Sequence, residues 1–268
     1  MRKFIILLIC AVFAVDVCAW NKLGHDASAM IAEKYLTKKA QKNMAKYLDG
    51  RGIAWYSSFM DYMGYIDKLG ISNEWFDHCA PVDKDFNYAE GEFGRSGGTQ
   101  KGDAVMCIRR AVEAMKDGGY KSLPDSMVNL YLKWLIHFVP DTHCPSHIIY
   151  NFRSTNYQVE IGSTKILFHS TWDAIPDTYG LHDWSASEFC SQLTFNLTKA
   201  QKKEIEMGGD ILAWVHQSAK DCIVAYDIVR ENEKVTEKDR FKATVLVDKQ
   251  LVKGGVRLAY LLNMIFSK

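Results

Sequence analysis

Two short segments carry histidine and aspartate at a spacing that suits metal binding. His137 and Asp141 lie four residues apart, and His169 and Asp173 repeat that spacing. Residues four apart on a helix share one face, so each pair would present an imidazole nitrogen and a carboxylate oxygen together. His147 follows the first pair after a proline, where the chain can turn to point this side chain at the same place. Nitrogen and oxygen ligands without a thiolate suit zinc in a hydrolytic site.

A single His-x3-Asp pair has a simpler interpretation. In roughly nine of ten random cases the histidine is exposed or satisfied in the core and the aspartate is solvated. Here both pairs and His147 are embedded in strongly apolar sequence. Burying that many ionisable groups without a cation would cost several kcal/mol for each group. The sequence therefore predicts a metal site.

Helices are expected to position these residues, because apolar residues recur at helical spacing along most of the chain. The segments with this pattern are 26–37, 55–69, 103–117, 124–139, 185–195, 208–230 and 239–266. In the last of them, Gly254 and Gly255 form a pair small enough for another helix to approach closely. A short β-hairpin is expected at 157–168. No linker or change of composition divides the chain, so we predict one compact all-α domain over residues 20–268.

The first 19 residues have the anatomy of a secretory signal peptide. Arg2 and Lys3 precede an apolar run too short to span a membrane, and Val17-Cys18-Ala19 forms a small-residue cleavage site. We expect cleavage between Ala19 and Trp20 and a secreted or periplasmic protein without a transmembrane segment.

Removal of residues 1–19 lowers the formal net charge from +1 to zero. A neutral protein has no global field to attract nucleic acid, so a polyanion must be held locally by metal ions or a few placed side chains. In an oxidising compartment the five remaining cysteines could form at most two disulfides, whose pairing the sequence does not reveal. There is no CxxC spacing, so a zinc site built on cysteines is not expected.

The residues around both His-Asp pairs resemble the S1/P1 nuclease family. Leu135-Ile-His-Phe-Val-Pro-Asp-Thr-His-Cys-Pro-Ser-His147 is similar to the family's Leu-Ile-His-Phe-x-Gly-Asp-x-His-Gln-Pro-Leu-His, and Phe168-His-Ser-Thr-Trp-Asp173 is similar to its Leu-His-x-x-Trp-Asp. Mature family members begin with Trp and carry a ligand His five residues later, as Trp20 and His25 do here. Weaker matches, including those at Asp61 and His78, extend the resemblance over nearly the whole mature chain.

The resemblance implies an all-α fold built around three zinc ions. The implied ligands are Asp61, His78 and His137 for one ion and His147, His169 and Asp173 for a second. The third ion would be held by His25 with the amino group and carbonyl of Trp20. Asp141 would bridge the first ion and the third. Clustered divalent ions lower the pKa of bound water to about 7. The attacking species would be a hydroxide between two zinc ions, with Asp61 orienting or deprotonating it. His143, between two ligands, is expected to support one of them.

This sequence departs from the family pattern where the family recognises nucleotides. Cys79 stands where the family stacks an aromatic on a base, Pro81 where it has a base-reading Asp, and Gly64 where it has a phosphate-binding Arg. The long loop 83–102 offers replacements, although these side chains could equally belong to a solvated loop. The candidate substrate-binding residues are Cys79, Asp83, Phe86, Tyr88, Phe93 and Arg95.

Three functions are compatible with these residues. The first is a nuclease that cuts single-stranded nucleic acid or acts on 3′-nucleotides. The second is a zinc-dependent phospholipase C, but similar phospholipases place the first His further along and end the last motif in Glu, so His25 and Asp173 favour the nuclease. The third is a secreted zinc-binding protein that has lost catalysis, against which the complete ligand set argues. No stable protein partner is implied.

Overall fold

The protein is mostly helical, as the sequence predicts. The computed structural model describes residues 20–61, 77–90, 102–151 and 153–267. The α-helices in these ranges are α1 (Lys22–Tyr35), α2 (Lys38–Ala45), α3 (Ala104–Met115), α4 (Asp125–Asp141), α5 (Phe168–Ala174), α6 (Ala186–Leu193), α7 (Lys199–Glu206), α8 (Ile211–Cys222), α9 (Ala225–Ile228) and α10 (Glu237–Phe266). None of the described helices has both the length and the apolar character that a membrane span requires.

Two predicted helical segments differ from the structure. Residues 208–230 form α8 and the short α9, with a break between them. The described part of segment 55–69 starts in the 3₁₀ helix Ile53–Tyr56 and is α-helical at residues 59–61. Residues 62–69 lie outside the described part. The helices α2 and α7 were not predicted. Each begins at a threonine that caps its first turn, Thr37 or Thr198, and both are polar enough to lack a clear apolar stripe.

Strands occur in two small sheets. The expected hairpin is confirmed: β3 (Gln158–Ile161) pairs antiparallel with β4 (Thr164–Leu167). The other sheet, which was not predicted, pairs β1 (Ala80–Val82) parallel with β2 (Ile148–Tyr150). It places the chain after His78 beside the chain after His147, and the Ala80 amide donates to the His147 carbonyl over 2.7 Å.

The glycine pair in α10 receives two other helices. A Cβ on Gly255 would lie 2.6 Å from the Ile31 Cβ of α1, and one on Gly254 would lie 3.2 Å from the Pro140 Cα of α4. The expected close approach is therefore present. It brings α1, which carries His25, and the end of α4 against the same long helix.

The buried core has two parts that meet at the end of α4. One contains the apolar face of α4 up to Val139, and the other contains Cys144 with Trp20, Phe168 and Trp172. The segment that links the two parts includes Asp141 and His143, both buried. Polar residues at the junction of two apolar clusters need partners of their own.

The structure shows no disulfide among the described residues, although the number of cysteines would permit two. Cys79, Cys107, Cys144, Cys190 and Cys222 are all free thiols. All but Cys190 are buried, where they pack as small apolar side chains.

Gly255→Ala tests the packing of α1 against α10. Alanine favours the helix by about 1 kcal/mol, but its methyl group would press on Ile31 and on the Ser28 carbonyl. Overpacking of this kind costs about 1–3 kcal/mol, so we expect net destabilisation in urea unfolding. Gly254→Ala is the matched control, because its nearest contact is longer, and its effect should be smaller. Equal stability of Gly255→Ala and wild type would show that the two helices are not in tight contact.

Candidate metal centre

The histidine and aspartate side chains singled out in the sequence come together from distant parts of the chain. Helix α1 supplies one histidine, α4 ends in a His-Asp pair, and α5 carries the other pair. Of the remaining residues, His78 precedes β1, His147 precedes β2, and Asp61 is the last residue of the range 20–61. These residues are His25, Asp61, His78, His137, Asp141, His147, His169 and Asp173. Apart from Asp61 all are buried, and the Asp61 side chain is 10% exposed.

Asp141 lies between two groups of ligand atoms. In one group its Oδ1 is 3.4 Å from His25 Nε2. In the other its Oδ2 is 3.2 Å from His137 Nε2 and 3.4 Å from His78 Nδ1. Asp61 joins the second group, with Oδ1 3.3 Å from His137 Nε2. The two oxygens of Asp141 therefore face different histidines. The two groups share His137, whose ligand atom also lies within 4.8 Å of those of His25 and Asp141.

A third group surrounds Asp173. Its Oδ2 is 3.1 Å from His169 Nε2, and its Oδ1 is 3.7 Å from His147 Nε2. The Cys144 thiol lies 3.6 Å from the same Oδ1, and the ligand atoms of Cys144, His147 and Asp173 are all within 4.8 Å of one another. The sequence did not predict a cysteine here, because Cys144 is not part of a CxxC motif.

Backbone carbonyls orient two of the imidazoles. His137 Nδ1 donates to the Ser57 carbonyl over 2.7 Å, and His147 Nδ1 donates to the His78 carbonyl over 3.1 Å. Since a carbonyl only accepts, each Nδ1 must carry a proton, and each Nε2 is left facing the centre. Although burial opposes it, the nearby carboxylates of Asp141 and Asp61 raise the pKa of His137 to about 9, so a bound cation would have to displace a proton from its Nε2. The role of Ser57 left no trace in the sequence, because any residue has a carbonyl.

The residues fit a divalent cation, as their buried polar atoms show. Neither carboxylate oxygen of Asp141 and neither ring nitrogen of His25 has a hydrogen-bond partner among the described residues. Burial raises the pKa of the Asp141 carboxyl well above its usual value and lowers the pKa of His25 well below its own. The fold alone thus disfavours an ionised Asp141, whereas a bound cation would stabilise it and accept the neutral imidazole.

Trp20 lies beside the centre. Its indole is fully buried and donates to the Pro140 carbonyl over 3.0 Å, next to Asp141. The following amide, of Asn21, donates to the Asp173 carbonyl over 3.0 Å. The Trp20 indole and the amide that follows it are therefore hydrogen-bonded next to two of the candidate ligand aspartates. That its amino group and carbonyl bind metal remains a prediction.

The ring of His143, which is expected to support a neighbouring ligand, hydrogen-bonds the backbone of α4 and a side chain of α10. Its Nδ1 donates to the Val139 carbonyl, and its Nε2 accepts from Arg257 Nη1 over 2.8 Å. Burial and the nearby Arg257 lower the pKa of His143, which keeps the ring neutral so that it can accept this bond. The pair ties the end of α4 to α10 and so supports Asp141 from behind.

The predicted substrate-binding residues that the structure describes have other partners. Cys79 is 1% exposed, so it offers no stacking surface. Phe86 packs edge-on against Tyr150 at 6.1 Å, and Tyr88 donates to the Asp103 carboxylate over 2.8 Å. Asp83 accepts from the amides of Asp85 and Asn87 within its own turn.

The other two substrate candidates, Phe93 and Arg95, lie outside the described residues.

Comparison with known proteins agrees with this centre. The S1/P1 Nuclease family profile matches residues 20–267. The chain is 24% identical to Endonuclease 1 of Arabidopsis thaliana over 289 residues, covering 98% of this chain and 91% of the relative. It is 22% identical to Endonuclease 2 of the same plant over 280 residues, covering 95% and 93%. These matches give no support to the phospholipase C alternative.

Addition of a divalent cation to metal-depleted protein should raise its melting temperature. A ligand at a hundred times its Kd adds about 2.7 kcal/mol, or roughly 5–10 °C for a chain of this size. Asp141→Asn should lose most of this rise, because both of its oxygens face ligand groups. The control Asp248→Asn, which removes a carboxylate 3.6 Å from His182, should keep it. An equal rise in both variants would exclude Asp141 as a ligand.

Proposed function

We propose that this chain, which belongs to the S1/P1 nuclease family and is a hydrolase of phosphodiester bonds, is a zinc-dependent endonuclease for single-stranded nucleic acid that also accepts 3′-nucleotides. The observation that carries the proposal is the buried Asp141, one oxygen of which faces His25 while the other faces His137. A carboxylate so placed suits a cluster of cations better than a single ion. The names of both relatives, Endonuclease 1 and Endonuclease 2, agree with the reaction type.

Three zinc ions are proposed, one for each group around Asp141 and Asp173. The proposed ligands are Asp61, His78 and His137 for one ion, His25 and Trp20 for another, with Asp141 shared between these two, and His147, His169 and Asp173 for the last. When bound, such ions supply Lewis-acid stabilisation of phosphate oxygens and a lowered pKa for water. The mixture of imidazole and carboxylate donors suits zinc.

Asp61 is the proposed proton acceptor. Its side chain is 10% exposed, whereas those of Asp141 and Asp173 are 0% and 3% exposed. Of the three site carboxylates it is therefore the one that water and substrate can best reach. Its Oδ1, which no described hydrogen bond satisfies, can orient a water molecule and receive its proton.

The recessed centre supports a preference for single strands. The most accessible ligands, Asp61 and His78, each expose only 10% of their side chains. A phosphodiester must enter this recess to reach them. A single strand can bend to present its backbone there, whereas duplex DNA resists bending over such short lengths.

Purified mature protein should contain close to three zinc ions per chain and cleave single-stranded DNA faster than duplex. Asp141→Asn should lower this cleavage at least about a hundredfold and also reduce the zinc content. Elemental analysis and cleavage of a labelled oligonucleotide measure the two quantities. Full cleavage in the presence of excess chelator, or a chain holding a single ion, would contradict the proposal.

Secretion and cleavage before Trp20 are part of the proposal. An α-amino group binds zinc only when it is free and deprotonated, and its ordinary pKa of about 7.7–8.0 makes this easy beside a cation. In the precursor that nitrogen is an amide, so export would activate the enzyme. A variant with one extra residue before Trp20 should stay folded by circular dichroism but bind less zinc and lose most activity. Full activity of the extended protein would remove Trp20 from the ligand set.

A further inference from the structure

A groove that no sequence pattern indicated lies beside the metal centre. It has a volume of about 770 Å³ and lies between α1, the segment 54–59 and the first turn of α6. Residues Lys22 and Asp26 form part of one wall, Trp55 and Phe59 part of another, and Ser185 to Ser187 the far side. Its volume is within the range of small-molecule sites, roughly 300–1,000 Å³.

The aromatic wall of the groove carries cations on its rings. Trp55 is 68% exposed, and the Arg51 guanidinium lies 4.2 Å from the centre of its ring. The Lys133 ammonium lies 3.7 Å from the centre of the Phe59 ring. An exposed aromatic ring with cations close by is typical of surfaces that bind single-stranded nucleic acid, where bases stack and phosphates are neutralised.

The groove shares its backbone with the metal centre. Ser57, two residues after Trp55, accepts the hydrogen bond from His137 through its carbonyl. Its hydroxyl donates to Asp26 over 2.5 Å, and Asp26 directly follows His25. Asp61 comes two residues after Phe59. Ser57 therefore lines the groove and at the same time supports His137 in the metal centre.

We propose that this groove binds a nucleotide of the substrate strand adjacent to the cleaved bond, with its base stacked on Trp55 and the neighbouring phosphates beside Arg51 and Lys133. The inference rests on the proposed nuclease function and names where the strand lies. The Asp26 carboxylate already pairs with Lys22 and Ser57, so it presents little open negative charge to the strand. The groove would supply the stacking surface that buried Cys79 cannot.

Trp55→Ala tests the proposal on two substrates of different length. We expect its KM for a twelve-residue oligothymidylate to rise about tenfold, within the range for one stacked base, with little change in kcat. Its rate on bis(p-nitrophenyl) phosphate, which is too small to extend into the groove, should not change. Trp55→Phe should restore most of the affinity. Phe195→Ala, which removes an aromatic 76% exposed and outside the groove lining, is the matched control and should resemble wild type on both substrates.

Binding of a phosphorothioate-linked oligothymidylate, followed by fluorescence anisotropy, gives a readout that does not need cleavage. Trp55→Ala should weaken this Kd about tenfold, and Phe195→Ala should not. An unchanged Kd and KM in Trp55→Ala would overturn the groove even if wild type is an active nuclease. Equal losses on both substrates would also overturn it, because they would indicate damage to the support of His137. A Kd that depends on Trp55 in a wild type unable to cleave would support the groove and refute the proposed function.

Discussion

The carboxylate of Asp141 is completely buried, and no described hydrogen-bond donor reaches either of its oxygens. Three imidazoles surround it, those of His25, His78 and His137, each within 3.4 Å of one of its oxygens. Burial of such a group in ionised form costs several kcal/mol unless a cation compensates for it. The need for that compensation explains why the ligands converge here, and the same cations would provide the chemistry of phosphodiester hydrolysis.

The fold packs three helices closely behind this group. Helix α4 ends at Asp141, and Pro140 contacts Gly254 of α10, while α1 rests on Gly255 and delivers His25. The parallel pair of β1 and β2 fixes the chain beside His78 and His147. His25, Asp141, His78 and His147 thus lie on or next to helices and strands that pack against, or pair with, other elements. Metal binding and folding are coupled in such an arrangement, because no preformed site exists in the unfolded chain.

The sequence predicted what depends on local spacing. The helical period revealed the pair His137 and Asp141 and the same pattern in α5, and the small Gly254-Gly255 pair revealed a close helix approach. Asp61 had no spacing signal of its own and came from the family resemblance. Three features of the site depend on contacts between segments that are distant in sequence, and a single sequence does not reveal such contacts. They are the Ser57 carbonyl, the three-residue pairing of β1 with β2 and the thiol of Cys144 beside Asp173. The number of cysteines allowed disulfides without predicting them, and in the fold the five described cysteines are free thiols.

We propose that zinc ions bound by Asp141, Asp173 and the surrounding histidines occupy the junction between the two apolar clusters. Anomalous X-ray diffraction from crystals of mature protein, with data collected on both sides of the zinc absorption edge, tests it most directly. We expect three zinc peaks. One should lie among Asp61, His78 and His137, one next to His25 and Trp20, and one among His147, His169 and Asp173. Asp141 should lie between the first two peaks. Fully ordered ligands with no anomalous peak, or peaks located elsewhere on the protein, would contradict it.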